Sequence, residues 1–491
     1  MINKQISNAN GKTIIISAYR NVSIRYLVYG DLLDRLISSG LRIILLVNEK
    51  NIEFYKDNLK DKNIIIEPIF YSSNLFTLRS ILGSVFNTYR LCTSPEGKYS
   101  KNHTVKLFIN QYKKEWSSNL LRKAVFFFIY LVAKFASKSL IIRNFLINVE
   151  SWIFKGKEYN FLFDKYKPSL LIVSSIGHML DLYTINCAKR NNTKVMTIFH
   201  NWDGPTTKGY KANEIDSVIA WNEIMKNETI NFQDIPSDKV YIGGCINYDL
   251  YFKKIRYFKN KESFYDYFKL DPTKKIILFA PGGIALWPKG LDILKEILED
   301  VSSGRILNAQ VLFRLHPNFL SESAVENPIK ENIKREIDYM ISIYGDCLKI
   351  SIPEFNKLDF DFDLPLDDLK ILSDILTYSD LLITQYSTLL IESSIFDLPA
   401  INSAIGDYRD YGLKANVYEN ATHIKTIMKY NAFDNVDSWS ELRNSIKKNL
   451  KSRNAKSIQR NELVNDFFGD TKGKSSEIVS NHIIEFISKL N

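Results

Sequence analysis

The chain has 491 residues, 45% hydrophobic and 24% charged, which is enough for two large cores and excludes a disordered or fibrous polymer. Its 65 Lys and Arg against 55 Asp and Glu leave a formal charge of +10, a balance that suits phosphate-bearing ligands or an anionic membrane surface. Cys92, Cys187, Cys245 and Cys347 are widely spaced without a CxxC pair, which argues against a zinc site and for a reducing, cytoplasmic compartment. The polar start Met1-Ile-Asn-Lys runs into a strand, from which no signal peptide is expected. The longest apolar run, Ala124 to Ala133, is far short of the roughly 20 residues a spanning helix needs.

Thr13 to Ser17 reads as a buried strand, followed by one helix from Ile24 to Ser39 that stops at Gly40, then a strand over Arg42 to Val47. This βαβ unit starts a parallel sheet, and Asn63 to Pro68 adds a strand. Between residues 75 and 159 the strand rhythm gives way to helical segments, read as an insertion. Lys113, Lys114, Arg122, Lys123, Lys134, Lys138 and Arg143 surround its apolar run and Trp116. That pattern suits either a helix lying on an anionic membrane or one packed against the first domain. Strands resume at Ser169 to Ser174, Lys194 to Phe199, Ser217 to Trp221 and Val240 to Gly244. The loop His200-Asn-Trp-Asp203-Gly-Pro-Thr-Thr-Lys-Gly209 leaves the carboxyl end of one of them, where open parallel sheets place ligands.

Residues 255–273 are charged and aromatic and read as an interdomain linker. A second βα series then begins. Lys275 to Ala280 is a strand ending in Pro281-Gly282-Gly283, and Ala309 to Leu315 is one ending in His316-Pro317. A helix over 326–344 and a strand over Leu348 to Ile352 follow. Leu381 to Thr384 is a strand that turns through Gln385-Tyr386 into a helix opened by Ser387-Thr388; Pro399 ends that helix, and Ala400-Ile401 starts another strand. Beyond Asn402 the pattern is mostly helical. The organisation is therefore 1–254 with its insertion at 75–159, a linker at 255–273, a second domain at 274–470 and a C-terminal helix at 471–491. Two βα halves of similar size are expected to face a cleft.

Three loops of the second half converge on one sheet edge: the bare backbone of Gly282 and Gly283, the Arg314 and His316 pair, and the Ser387-Thr388 helix start with Gln385 before it. Such an assembly is a phosphate site that needs no metal and no other cofactor. Glu392, one turn into the helix, is placed to accept from ribose hydroxyls. No DxD pair follows a strand at a suitable place; Asp361, Asp363, Asp367 and Asp368 read as a solvated acidic loop. Of the six histidines, His200 is the candidate general base, since a neutral imidazole suits proton removal from a hydroxyl. Asp203 is the second candidate, as base or as orienter of His200, and His178 also lies near a strand end.

Arg314-Leu-His316-Pro317, Gln385-Tyr-Ser387-Thr388 and Leu398-Pro-Ala-Ile401 together resemble the GT-B glycosyltransferases that use cytidine-linked donors. The resemblance is to CDP-glycerol glycerophosphotransferases and, more loosely, to bacterial capsule, sialyl- and Kdo-transferases. It implies that His316, Ser387 and Thr388 contact donor phosphate. The His200 loop resembles the His-Gly-Thr-Pro-Leu-Lys segment of the glycerophosphotransferases in its His200, Gly204, Pro205 and Lys208, with Asn201-Trp-Asp203 inserted. The expected partners are a nucleotide-activated sugar or polyol donor and a glycan or lipid-linked acceptor at the inner face of the membrane, with no nucleic acid. An inverting, metal-independent transferase of surface-glycan synthesis is the leading reading. A UDP-N-acetylglucosamine 2-epimerase-like enzyme and a catalytically silent scaffold are the alternatives.

Overall fold

The computed structural model describes residues 11–18, 21–70, 73–74, 77, 79–96, 101–178, 180–283, 286–317, 327–358, 361–409 and 413–490. The chain forms two units, Met1–Asp249 with Phe468–Asn491, and Leu250–Phe467.

The first unit is built on seven parallel strands: β1 (Thr13–Ser17), β2 (Arg42–Asn48), β3 (Ile64–Ile69), β4 (Leu170–Val173), β5 (Lys194–Ile198), β6 (Ser217–Ala220) and β7 (Val240–Ile242). Their order is β3-β2-β1-β4-β5-β6-β7. Runs such as Ile14-Ile-Ile16 and Ile43 to Val47 are wholly buried, as strands covered on both faces must be. β3 lies at the edge, half-buried, and tolerates Pro68 there because an edge strand has a side with no ladder to serve. The order reverses at β1, which pairs with both β2 and β4, so the loops after these strands splay apart at the carboxyl edge.

The single helix expected over Ile24 to Ser39 is two, Asn21–Leu27 and Asp31–Ser38. Gly30, extended at φ −91° and ψ −177°, breaks the pattern and starts the second one. Among the described residues four helices, Ile81–Leu91, Thr104–Glu115, Leu120–Lys138 and Leu140–Ile153, form the expected insertion. They have a small core of their own around Tyr89, Phe126, Ile129 and Ala133. Two ion pairs, the buried Arg90 with Glu150 and Arg143 with the half-buried Asp234, accompany the packing. None of the helices among the described residues is long and apolar enough to cross a membrane.

The C-terminal helix, Ser475–Ser488, packs in this first unit, against Asp31–Ser38. Asp249 caps it, accepting from the backbone N–H groups of Ser475 (2.9 Å) and Ser476 (2.7 Å). At its other end Lys12 Nζ donates to the Ile487 carbonyl at 3.1 Å. Gly243 lies so close that a Cβ there would overlap Val479.

The second unit repeats the plan. Its strands are β8 (Lys275–Phe279), β9 (Ala309–Arg314), β10 (Leu348–Ser351), the β11 (Asn356–Leu358) and β12 (Asp361–Asp363) hairpin, β13 (Leu381–Thr384) and β14 (Ala400–Ser403), the short β15 (Asp407–Tyr408) and β16 (Leu413–Lys414) pair, and β17 (Asp434–Val436). Six of them form a parallel sheet in the order β10-β9-β8-β13-β14-β17, again reversing at its first strand. β17 falls in a stretch expected to be helical. Within 255–273 the chain forms a helix, Lys261–Phe268, whose Phe264, Tyr265 and Phe268 are buried.

Candidate functional site

In the second unit β8 lies between β9 and β13, so the loops bearing Gly282, His316 and Gln385 leave neighbouring strands at one edge. Thr384 Oγ1 ties two of these loops, donating to the Ala280 carbonyl at 2.6 Å. Gly282 is required because a Cβ there would overlap the Trp287 indole and come 3.2 Å from the Gln385 carbonyl. Gly283 accepts from the N–H groups of Leu286 (2.9 Å) and Trp287 (3.1 Å), which closes the turn.

The turn after β13 is strained. Tyr386 has φ +42°, rare for a residue with a side chain, and a ring of hydrogen bonds holds it there. Its N–H donates to Asn402 Oδ1 (2.7 Å), Asn402 Nδ2 to Asn435 Oδ1 (2.5 Å) and Asn435 Nδ2 to Glu419 Oε1 (2.8 Å). The Tyr386 hydroxyl donates to the same Glu419 oxygen at 2.9 Å and closes the ring. Gln385 beside it is 1% exposed, yet neither its Oε1 nor its Nε2 has a partner among the described residues. A buried amide left unmatched costs about 1 to 3 kcal/mol. Ser403, on adjacent β14, is equally buried with an unmatched hydroxyl.

The helix after this turn, Leu389–Ile395, is only seven residues long. Its first N–H groups are used locally: Leu389 on Ser387 Oγ (3.3 Å), Leu390 on the Ser387 carbonyl (3.1 Å) and Ile391 on the Thr388 carbonyl (2.9 Å). Ser387 and Thr388, both half-buried, therefore offer hydroxyls more than the bare helix end expected from sequence. Glu392 is buried, and its Oε2 accepts from Tyr251 at 2.8 Å.

Arg314 is turned away from this cluster. Its guanidinium donates to Ser351 Oγ (2.8 Å) and pairs with Asp368 (2.5 Å), both sides buried. Asp368 is thus no solvated loop residue, as read from its acidic neighbours, but the counter-ion of a cation that closes β9. His316, half-buried at the end of β9, is held by burial at a pKa of about 4 and is neutral near pH 7.

In the first unit, His200 follows β5 and stacks on Tyr26 at 6.4 Å between ring centroids. Its backbone is pinned on both sides: Trp221 Nε1 donates to the Phe199 carbonyl (2.9 Å) and Asn247 Nδ2 to that of His200 (3.3 Å). Its Nδ1 is 3.0 Å from the Ser174 carbonyl on the loop after β4. Asp203 accepts from Thr207 Oγ1 at 2.5 Å, lies 3.8 Å from Lys208 Nζ, and starts the short helix Gly204–Thr207. Gly204 is needed because a Cβ there would overlap the Phe199 ring. Beneath this loop Glu228 is raised to about 8, by burial first and by the Asp203 carboxylate second.

One residue escaped sequence reasoning. Asp181, fully buried at the start of the Asp181–Arg190 helix, accepts from Ser17 (3.1 Å), Ser174 (3.4 Å) and Ser175 (2.8 Å). It knits the ends of β1 and β4 at the reversal point; the serines closing both strands were its only signal. No group of three or more His, Cys, Asp or Glu among the described residues is placed to hold a metal ion.

No protein-family model and no curated protein matches the chain. Among solved structures, S. aureus MnaA, in a co-structure with UDP, is 11% identical, with 97% of each chain covered and a TM-score of 0.55. The UDP-GlcNAc 2-epimerase from Neisseria meningitidis, bound to UDP-GlcNAc, is 12% identical over 96% of this chain and 100% of that one, at 0.55. The UDP-GlcNAc 2-epimerase from Methanocaldococcus jannaschii is 14% identical over 96% and 99%, at 0.51. At such identities the likeness establishes the fold. The chain has the GT-B type α/β fold, two Rossmann-like units each built on a parallel sheet.

Proposed function

We propose that the protein is a GT-B glycosyltransferase, or polyol-phosphate transferase, that moves a group from a nucleotide-activated donor to a surface glycan or lipid-linked acceptor. The observation that carries this reading is the Gln385 amide, buried and without a partner among the described residues, beside the Gly282 turn at the reversal point of the second sheet. A nucleotide donor gives that amide its missing partners, while neutral His316, Ser387 and Thr388 donate to its phosphates. The motif resemblance favours a cytidine-linked donor.

In the first unit His200 acts as the base. Its Nδ1–H faces a carbonyl, which only accepts, so Nε2 carries the lone pair that takes the proton from the acceptor hydroxyl. With a sugar donor, the acceptor oxygen bonds to the anomeric carbon as the carbon–oxygen bond to phosphate breaks. The electron pair leaves on the nucleotide, and one displacement inverts the centre. None of these steps calls on a metal ion.

Thermal shift with CMP, CDP, UDP and GDP tests the donor assignment, because a ligand of the native state raises apparent stability by mass action. Cytidine nucleotides are expected to give the largest shift, and an equal or larger shift with UDP removes the cytidine assignment. The two UDP-GlcNAc 2-epimerases above favour a second reading, epimerisation of UDP-GlcNAc. Incubation with UDP-GlcNAc in D2O, followed by NMR, separates the two: a 2-epimer carrying solvent deuterium at C2 establishes the epimerase.

A further inference from the structure

The insertion encloses a cavity of about 610 Å³. Ser84, Trp116 and Val125 line it, Arg79, Arg122 and Glu115 stand exposed on its rim, and His178 reaches it from the β4 loop. The buried Arg90 and Glu150 pair, 3.3 Å apart, also lines it. Arg90 Nη1 donates to the Gly177 carbonyl at 2.5 Å. The cavity is therefore anchored to the loop whose Ser174 carbonyl orients His200.

Two further observations bear on what fills it. Residues 79–157 hold fourteen Lys and Arg against three Glu and no Asp, so this segment accounts for the whole positive surplus of the chain. The same helices leave large apolar side chains in solvent. Leu120, Leu121, Phe127, Phe128 and Phe135 form one outward stripe, and Ile141, Phe145 and Trp152 another, each residue 60% to 87% exposed. Folded proteins seldom leave so much apolar surface bare unless something covers it. Leu121 belongs both to the first stripe and to the cavity wall, so the two are continuous.

We propose that this cavity binds the acceptor, and that the acceptor is an amphiphile with an anionic phosphate head and a long apolar tail. The head sits between Arg79 and Arg122, where two exposed guanidiniums match its charge and geometry. The tail covers the Leu120 to Phe135 stripe. The proposal rests on the transferase reading and names the acceptor class for it.

Dodecyl phosphate is the probe, titrated calorimetrically below its micelle concentration beside dodecanol and inorganic phosphate, which lack the head and the tail respectively. The expected result is binding of dodecyl phosphate at least tenfold tighter than of either control. Ser84→Trp, which fills the cavity, and the Arg79→Glu/Arg122→Glu pair, which reverses the rim, should each weaken it tenfold or more. The rim substitutions alter exposed side chains only, so they keep the test valid if Ser84→Trp fails to fold. Unchanged affinity in the rim variant, or equal binding of dodecanol, overturns the proposal. So does binding to phosphatidylglycerol vesicles that neither variant alters, since the face would then serve a bilayer. Nucleotide-induced thermal shifts on the same preparations report the donor reading separately, and a missing shift would sink that reading while leaving dodecyl phosphate binding to be judged alone.

Discussion

His200 and Ser174 are joined across neighbouring strands, imidazole Nδ1 to backbone carbonyl oxygen at 3.0 Å. The contact fixes both the ring orientation and the tautomer, because the oxygen has no proton to give. His200→Ala should therefore lower turnover about a hundredfold or more while leaving nucleotide affinity within about twofold, as initial rates and titration calorimetry will show. If Asp203→Ala carries that loss and His200→Ala does not, the base is the carboxylate.

His316→Ala should do the reverse and weaken donor binding by about 1.5 to 3 kcal/mol, the scale of a hydrogen bond to a charged group. Calorimetry with the best nucleotide decides it. An unchanged dissociation constant would remove His316 from the donor site.

His316 also sets an acid limit on stability. Its pKa falls from the usual 6.5 to about 4 on folding, so between these values the unfolded chain binds the extra proton. The contribution is intact above about pH 6.5 and is lost as pH falls toward 4, up to about 3 kcal/mol. Urea melts at about pH 7.5 and about pH 4.5 should show the wild type losing more stability than His316→Gln.

Glu228 has the opposite sign. Burial and Asp203 raise it from 4.5 to about 8, so the folded state holds its proton more tightly. Stability is full below about 4.5 and declines as pH rises through 8, by a few kcal/mol. Glu228→Gln does not titrate and should melt above the wild type at about pH 9, with no advantage at about pH 5.

Asp368→Ala should destabilise the second unit by about 3 to 5 kcal/mol, because it strands the buried Arg314 charge. The midpoint of urea unfolding measures it. A change below 1 kcal/mol would mean that the guanidinium finds water or another acceptor.

Both sheets were readable because strands buried on two faces show as unbroken aliphatic runs, from Ile14 to Ile383. β17 was not. Asp434-Asn435-Val436 has two polar residues in three, and they are there for side-chain bonds: Asn435 to Asn402 and Glu419, and Asp434 to Ser445 and Lys456. The candidate residues could be assigned to strand ends from sequence, yet the direction of a long side chain could not. Arg314 turns to Asp368, fifty-four residues later in the chain, rather than to the loop it was grouped with. The orienter of His200 left no trace either, since a backbone carbonyl is the same atom in every residue type.

The Ser475–Ser488 helix completes the unit that begins the chain, through Lys12 at one end and Asp249 at the other. On the ribosome, Leu250–Phe467 is wholly synthesised before that helix exists. The second unit can thus mature first, while the earlier-made one waits with the Asp31–Ser38 helix uncovered. A stop codon near residue 470 would therefore harm the N-terminal half, and holdase chaperones would meet that half on the nascent chain.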